Sequence, residues 1–432
     1  MSDPYRPDSG DERYRVTHYD LELDYRVNGN RLAGTARLLA ILDVATSQLR
    51  LDLAGLRVAK VTVNGQRVRY AHRGRHLLVT LNALTSKGSE LQLLVQYSGN
   101  PGPVRGPWGE VGWEELTDGA LVAAQPDGAA SWFPCNDHPR SKARYRFKVS
   151  TESAYTVVCN GTLRSTQVHG SRTTWQYTCE EPAATYLATV QVGRYRLLDT
   201  SMGPVRQRAA VPVRLLERFD HDFARQGEMM ALFSRLFGPY PFGGYGVVVT
   251  DDELEIPVEA HGLSIFGANH LDGKRSSERL VAHELAHQWF GNSLTVSRWR
   301  DIWLNEGFAC YAEWLWSQAS GSDSADVLAR KAHQRLSGLP QNLVIADPGP
   351  ERMFDDRLYK RGALTLHALR LTTGDDAFFA LLHAWTAAHR HANVTTEEFT
   401  ALAGQHAADP VDGVLRRWLH ETALPALPAL PR

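Results

Sequence analysis

Residues 280–291, LVAHELAHQWFG, decide how this chain of 432 residues is interpreted. They place His283 and His287 four positions apart, with Glu284 directly after the first histidine. On a helix, side chains four positions apart share one face at roughly 6 Å, so two imidazoles can bind one metal ion. Glu284 is offset from that face and can reach a metal-bound water without being a ligand. The stretch therefore predicts a helix that carries a metal site and a general base.

The next predicted helix offers a third ligand. Residues 301–316, DIWLNEGFACYAEWLW, contain Glu306, which lies 19 positions after His287. Two histidines and one glutamate leave a fourth coordination position open, which is typical of catalytic rather than structural zinc. Glu313 lies on the same helical face as Glu306. We expect Glu313 either to hold a ligand histidine in place or to form an ordinary salt bridge. The sequence favours neither of these two roles over the other.

The sequence pattern divides the whole chain into two parts near residue 200. Up to about residue 200, short alternating runs and the hairpin signal Asn64-Gly65 predict strands. After residue 200, the apolar residues recur mostly at helical spacing, which predicts mainly helices. We predict a multi-domain α+β protein, with an N-terminal antiparallel β-sandwich or saddle domain over residues 1–200 and a catalytic domain, mixed and then mostly helical, over residues 201–432. The predicted strands include 19–27, 60–63, 76–81, 91–97, 144–149, 174–178, 185–192, 246–250 and 263–266, and the predicted helices include 216–237, 277–291, 303–320, 323–336, 360–372, 375–389, 395–406 and 411–421.

Composition argues against several classes of protein. The 47 Lys and Arg residues nearly balance the 48 Asp and Glu residues, so a nucleic-acid partner is not expected. No run approaches the ~20 apolar residues that span a bilayer, and the polar N-terminus does not resemble a secretory signal. We therefore expect a cytoplasmic protein without a membrane partner. The four cysteines contain no CxxC pair, which excludes a disulfide-rich scaffold.

Several motifs resemble those of the aminopeptidase N family, the gluzincin zinc metallopeptidases. HELAHQWFGN at 283–292, followed by WLNEGFA at 303–309, matches the HExxH-x18-E signature of that family. The other similar segments are HYDLELDY at 18–25, FPCNDHP at 133–139, PVEAHGLSIF at 257–266 and YKRGA at 359–363. The chain resembles a short two-domain member without the C-terminal domains of larger members. The resemblance implies a thermolysin-like catalytic domain and one Zn²⁺ ion as cofactor.

The resemblance also implies an activity, which is zinc-dependent removal of the N-terminal residue from peptides with a free N-terminus. Glu259 would bind the free α-amino group, and Gln125 would be a second amine-binding residue. Tyr359 would stabilise the tetrahedral intermediate, and Glu284 would activate the zinc-bound water. The zinc ligands would be His283, His287 and Glu306.

One departure from the family pattern keeps other functions open. The motif GxMEN reads Ile256-Pro257-Val258-Glu259-Ala260 here, and Pro257 has no backbone N–H. We expect substrate contacts at this segment to differ from those of the family. A zinc endopeptidase or a small-molecule hydrolase on the same fold is the first alternative. A non-catalytic interaction module is less favoured, because every position of the catalytic pattern is filled.

Overall fold

The computed structural model describes residues 3–407 and 410–429. The chain forms two compact units. The first comprises Met1–Thr200, Gln207–Leu216 and Phe242–Asn269, and the second comprises Ser201–Arg206, Glu217–Pro241 and His270–Arg432. The predicted domain boundary at residue 200 stays a proposal, because the first unit also takes in two later segments.

Alternating apolar residues build the strands of the first unit. In β1 (Tyr14–Arg26), Tyr19, Leu21 and Leu23 are buried, whereas the acidic residues between them are not. The other strands before residue 270 are β2 (Arg31–Leu42), β3 (Thr46–Asp52), β4 (Arg57–Val63), β5 (Gln66–Arg67), β6 (Arg69–Arg73), β7 (His76–Thr85), β8 (Glu90–Gly99), β9 (Val104–Gly106), β10 (Gly109–Leu116), β11 (Gly119–Ala123), β12 (Lys142–Glu152), β13 (Thr156–Cys159), β14 (Thr162–His169), β15 (Arg172–Ala184), β16 (Val190–Gly193), β17 (Tyr195–Met202), β18 (Val205–Pro212), β19 (Gly244–Val249), β20 (Val258–Ala260) and β21 (Leu263–Phe266).

The largest sheet has eight strands in the order β14-β15-β12-β1-β2-β8-β4-β5. Its neighbouring strands are antiparallel, as predicted, except that β1 and β12 pair in parallel with Leu21 opposite Phe147. Parallel pairing requires a long crossover, which the chain between these two strands supplies. Two five-stranded sheets have the orders β13-β16-β11-β10-β9 and β17-β18-β19-β21-β20, and β3-β7-β6 form a smaller sheet.

The Asn64-Gly65 hairpin is confirmed. Both residues have positive φ, 51° and 80°, and they join β4 to β5 with Val63 opposite Gln66. A two-residue hairpin turn of this type requires positive φ at both central positions, which asparagine and glycine tolerate best.

The predicted strand 185–192 is wrong over its first half. Thr185–Leu187 form a 3₁₀ turn, and β16 begins only at Val190. The Asn160 side chain explains the difference, since its amide donates to the Leu187 carbonyl at 2.9 Å and its oxygen accepts from the Thr189 N–H at 2.6 Å. These backbone groups therefore bond to a side chain instead of a neighbouring strand.

Helices dominate the second half of the chain, as predicted. They are α1 (Leu216–Asp222), α2 (Gln226–Phe237), α3 (Glu278–Ala286), α4 (Trp303–Ala319), α5 (Ala325–Ser337), α6 (Asp356–Thr373), α7 (Asp375–Ala388), α8 (Thr396–His406) and α9 (Asp412–His420). Two short strands, β22 (Thr295–Val296) and β23 (Asn393–Val394), pair in parallel. Among residues 3–407 and 410–429, no helix is both long and apolar enough to cross a bilayer.

The helix α3 is shorter than the predicted 277–291. Gly291 has a φ of 120°, which a helix does not accommodate, and the chain leaves the helix in a turn around this residue. In this turn the Asn292 N–H donates to the His287 carbonyl at 3.0 Å, and the Leu294 N–H donates to the Trp289 carbonyl at 3.0 Å. The early end of α3 leaves His287 directly after the last helical residue.

Candidate metal centre

The end of α3 and the start of α4 bring three metal-binding side chains together. His283 lies in the last turn of α3, and His287 follows it with helical φ and ψ of −56° and −23°. Glu306 lies in the first turn of α4. Its Oε2 is 3.6 Å from His283 Nε2 and 3.4 Å from His287 Nε2. All three residues are buried, and one ligand atom of each lies within 4.8 Å of the others.

Hydrogen bonds at the far nitrogens orient both imidazoles. The Nδ1 of His287 lies 3.0 Å from the Phe290 carbonyl, which can only accept, so this nitrogen carries the proton. The Nδ1 of His283 lies 2.7 Å from Glu313 Oε1. When both imidazoles are neutral, their Nε2 lone pairs point toward the Glu306 carboxylate. Two lone pairs facing a carboxylate in a buried space suit a divalent cation, and two nitrogens with one oxygen suit zinc.

The close approach of these groups shifts the pKa values of His283 and Glu306. Burial lowers the pKa of His283, but hydrogen bonds to Glu306 and Glu313 outweigh it and raise the pKa to about 9. Burial raises the pKa of Glu306, but the charges and hydrogen bonds of His287 and His283 outweigh it and lower the pKa to about 2. A metal ion that binds here must therefore displace a proton from His283.

Glu313 lies among three positively charged or protonated groups. Besides His283, it accepts from Arg279 Nη1 at 3.0 Å and lies 3.9 Å from Lys360 Nζ. Burial raises the pKa of Glu313, yet the hydrogen bond and charge of His283, followed by the charges of Lys360 and Arg279, lower it to about 2. The carboxylate is therefore ionised and able to hold the His283 imidazole, which is the arrangement expected of a partner that orients a metal ligand.

Two glycines let α4 and α6 pack closely beside the metal site. A Cβ added to Gly362 would lie 2.7 Å from the Gly307 Cα, and one added to Gly307 would lie 2.8 Å from the Gly362 Cα. Gly307 follows Glu306 directly, and Tyr359 lies one turn before Gly362 on α6. The Tyr359 ring stacks near the His283 ring, with centroids 6.3 Å apart and planes at 17°. The glycines of the NEGFA and YKRGA segments thus bring these two helices together.

The remaining predicted site residues fall in different parts of the chain. Glu284 is buried in α3, directly after His283. Glu259 belongs to the first unit, half-buried in β20 opposite Ser264. Gln125 also belongs to the first unit, and its Nε2 is buried with no hydrogen-bond partner within the described parts of the chain. The roles of Glu284, Glu259, Gln125 and Tyr359 stay predictions.

Three contributors to the site were not predicted from the sequence. Arg279 lies one helical turn before His283, and Lys360 follows Tyr359, so spacing on the helices could have suggested both. The Phe290 carbonyl, which fixes the His287 tautomer, depends on the turn before Gly291, and no side-chain pattern indicates it.

Two family descriptions match the chain. "Peptidase M1 N-terminal domain" matches residues 15–187, and "Peptidase family M1 domain" matches residues 222–418. Among solved structures, an M1 zinc metallopeptidase from Deinococcus radiodurans superposes with a TM-score of 0.91 at 31% identity, and the match covers 100% of both chains. A variant of the same Deinococcus protein was solved with a Tyr-Ser-Ala substrate and also superposes with a TM-score of 0.91 at 31% identity, covering 99% of this chain and 100% of that one.

Curated relatives are more distant. Aminopeptidase M1 of Arabidopsis thaliana is 25% identical over 72% of this chain and 38% of its own length. Probable aminopeptidase 2 of Sulfurisphaera tokodaii is 23% identical over 95% of this chain and 54% of its own length. Leukotriene A-4 hydrolase of Xenopus laevis is 25% identical over 96% of this chain and 72% of its own length. The chain thus spans about two fifths to about half of the first two of these relatives.

Proposed function

Because the chain belongs to peptidase family M1, we propose that it is a zinc-dependent aminopeptidase that hydrolyses the N-terminal peptide bond of peptides. The observation that carries the proposal is the buried ligand set, in which Glu306 Oε2 lies 3.6 and 3.4 Å from the two Nε2 atoms of His283 and His287. Zinc is the metal of the structurally similar Deinococcus enzyme, and a variant of that enzyme binds a tripeptide.

The residues of α3, α4 and α6 divide the chemistry between them. His283, His287 and Glu306 would hold a zinc ion, which would supply a Lewis acid for the scissile carbonyl and a water that is nucleophilic near neutral pH. Glu284 accepts the proton of the attacking water and delivers it to the departing amine. The Tyr359 hydroxyl donates to the oxyanion of the tetrahedral intermediate, a role worth about 3–4 kcal/mol.

Recognition of the chain end is assigned to the first unit. Glu259 binds the substrate ammonium, and Gln125 assists it. A fixed carboxylate that faces an ammonium group favours free N-termini over chain interiors, because an internal peptide bond offers that carboxylate no positive charge. The half-buried setting of Glu259 in β20 supports this role, since desolvation strengthens its attraction for a cation.

A comparison of free and blocked substrates tests the proposal. We expect aminoacyl arylamides to be hydrolysed, N-acetylated versions and internal bonds to be spared, and a chelator to abolish the activity. Glu259→Ala should reduce kcat/KM for free-amine substrates by about 10- to 150-fold, as loss of a charged hydrogen bond of about 1.5–3 kcal/mol predicts. Glu255→Ala, at an exposed position on the same segment, is the control. Equal cleavage of blocked and free substrates by the wild type would overturn the exopeptidase assignment.

Similarity to a leukotriene hydrolase favours a second candidate, hydrolysis of a small non-peptide molecule at the same site. The altered segment around Pro257 is compatible with it, because a contact through that backbone N–H is impossible. A screen of ester and epoxide substrates alongside the arylamides distinguishes the two candidates. Turnover of the non-peptide substrates with no arylamide hydrolysis would favour the second.

We also assign the protein to the cytoplasm. Cys135, Cys159, Cys179 and Cys310 are all free, which is typical of a reducing compartment. Cell fractionation with an antibody against the protein tests this location, and recovery from a secreted fraction would contradict it. Residue 200 remains our proposed boundary between the β domain and the catalytic domain.

A further inference from the structure

A second group of metal-binding side chains lies in the first unit. One ligand atom each of Cys179, Glu181 and His261 lies within 4.8 Å of the other two. Cys179 is 0% exposed and His261 is 2% exposed, while Glu181 is half-buried. These three residues, which we call the Cys179 cluster, differ from the ligand set on α3 and α4 because they include sulfur.

An irregularity in β15 brings two members of the Cys179 cluster together. Cys179 pairs with Tyr145 and Ala183 pairs with Ala143, so three residues of β15 face one residue of β12. In a regular strand, residues two apart share a face but lie roughly 6.6 Å apart along it. The bulge shortens that distance and turns Glu181 toward the thiol, which is the usual effect of a bulge on side-chain direction.

The backbone of His261 is held at both ends. Its N–H donates to the Leu187 carbonyl at 3.2 Å, and its carbonyl accepts from the buried Asn160 amide at 2.9 Å. The Phe242 ring packs against the imidazole with centroids 4.3 Å apart. These contacts fix the backbone position of His261 and restrict the orientation of its imidazole. The site is therefore organised before any ligand binds.

A hydrogen bond holds the sulfur of the Cys179 cluster beside Glu181. The Cys179 thiol donates to the Glu181 backbone carbonyl at 3.4 Å. The position of the sulfur relative to β15 is therefore defined before any ion binds.

We propose that Cys179, Glu181 and His261 bind a second divalent metal ion, with zinc as the preferred metal because thiolate and imidazole ligands select it. The ion ties β15 to the turn between β20 and β21, two residues after Glu259. The three proposed ligands are distinct from His283, His287 and Glu306, and all three lie in the first unit.

Cobalt substitution tests the proposal on the full-length protein. A thiolate bound to Co²⁺ gives a charge-transfer band in the near ultraviolet, whereas the ligand set His283, His287 and Glu306 contains no sulfur. We expect the wild type to bind two Co²⁺ per chain and to show this band. Cys179→Ser should lose the band and bind one Co²⁺, and His261→Asn should weaken both signals. Cys159→Ser, which removes another buried thiol, is the matched control and should change neither.

Two results would overturn the second site. One is a wild-type spectrum without the charge-transfer band at saturating Co²⁺, which needs no variant and therefore does not depend on whether Cys179→Ser folds. The other is a band and a stoichiometry that Cys179→Ser and His261→Asn both leave unchanged. Neither readout uses peptidase activity, so failure of this site and failure of the proposed function are separate outcomes.

Discussion

Replacing Glu313 tests how the protein holds its catalytic metal. Glu313 Oε1 lies 2.7 Å from His283 Nδ1, whereas its partner Arg279 is 57% exposed and Lys360 is 3.9 Å away. The pair with Arg279 is screened by solvent on the arginine side, so the buried contact with His283 dominates the effect. Loss of such a partner typically weakens metal affinity by about 10- to 100-fold, or about 1.4–3 kcal/mol. Glu313→Gln keeps an acceptor for the Nδ1 proton, so its loss of metal affinity should be near the lower value. The loss for Glu313→Ala should be near the upper value.

Competition with a chromophoric chelator measures these affinities directly. Asp326→Asn is the matched control, because Asp326 Oδ1 lies 3.4 Å from His367 Nε2 in a carboxylate–histidine pair that includes no proposed ligand. We expect this control to bind zinc as tightly as the wild type. The reasoning is refuted if Glu313→Ala retains wild-type zinc affinity while circular dichroism shows that it is folded.

Three further predictions follow from individual contacts. Glu284→Gln should keep stoichiometric zinc but lose nearly all turnover, because it removes the base without changing a ligand; full activity would disprove the assigned role. Gly362→Ala should destabilise the protein by about 1–3 kcal/mol in thermal or denaturant unfolding, since its Cβ meets Gly307 at 2.7 Å, whereas Gly338→Ala, whose nearest contact is 3.6 Å, should be nearly neutral. Burial and the charges of Asp127 and Asp52 raise the pKa of Asp137 from 3.8 to about 8. The unfolded chain therefore releases this proton at lower pH than the folded chain does. The contribution of the Asp137 proton to the free energy of unfolding is fully present below about pH 4 and is lost as pH rises toward 8. Denaturant unfolding in a chelator at several pH values should therefore show a shallower fall for Asp137→Asn than for the wild type, and equal slopes would contradict the assignment.

Helical periodicity explains why the sequence predicts that the three proposed ligands lie close together. The spacing of His283 and His287 determines a shared face before any tertiary contact is known, and the helix start near Trp303 places Glu306 in a first turn. The seven-residue spacing also indicated Glu313, but the sequence left a histidine partner and a salt bridge equally open. The packing of α3, α4 and α6 gives it both kinds of contact, with His283 and with Arg279.

Long-range pairing and backbone geometry were outside the reach of the sequence patterns. The parallel pair of β1 and β12 joins segments that are far apart in the chain. Alternation of apolar and polar residues predicts that a strand forms, but it does not identify the strand with which it pairs. Thr185 and Tyr186 favour a strand, but the Leu187 carbonyl accepts from the Asn160 side chain and from the His261 N–H, and residues 185–187 form a 3₁₀ turn. His261 reads as an ordinary loop histidine until the bulge in β15 brings Cys179 and Glu181 toward it.

The central claim is that one zinc ion is held by two histidines and a glutamate, with room for substrate. A crystal structure of the zinc-loaded protein, with anomalous diffraction recorded at the zinc edge, tests it most directly. We predict an anomalous peak about 2.0–2.2 Å from His283 Nε2, His287 Nε2 and a Glu306 oxygen, with no fourth protein ligand. A map without a peak there, or one in which another side chain completes the coordination, would contradict the account.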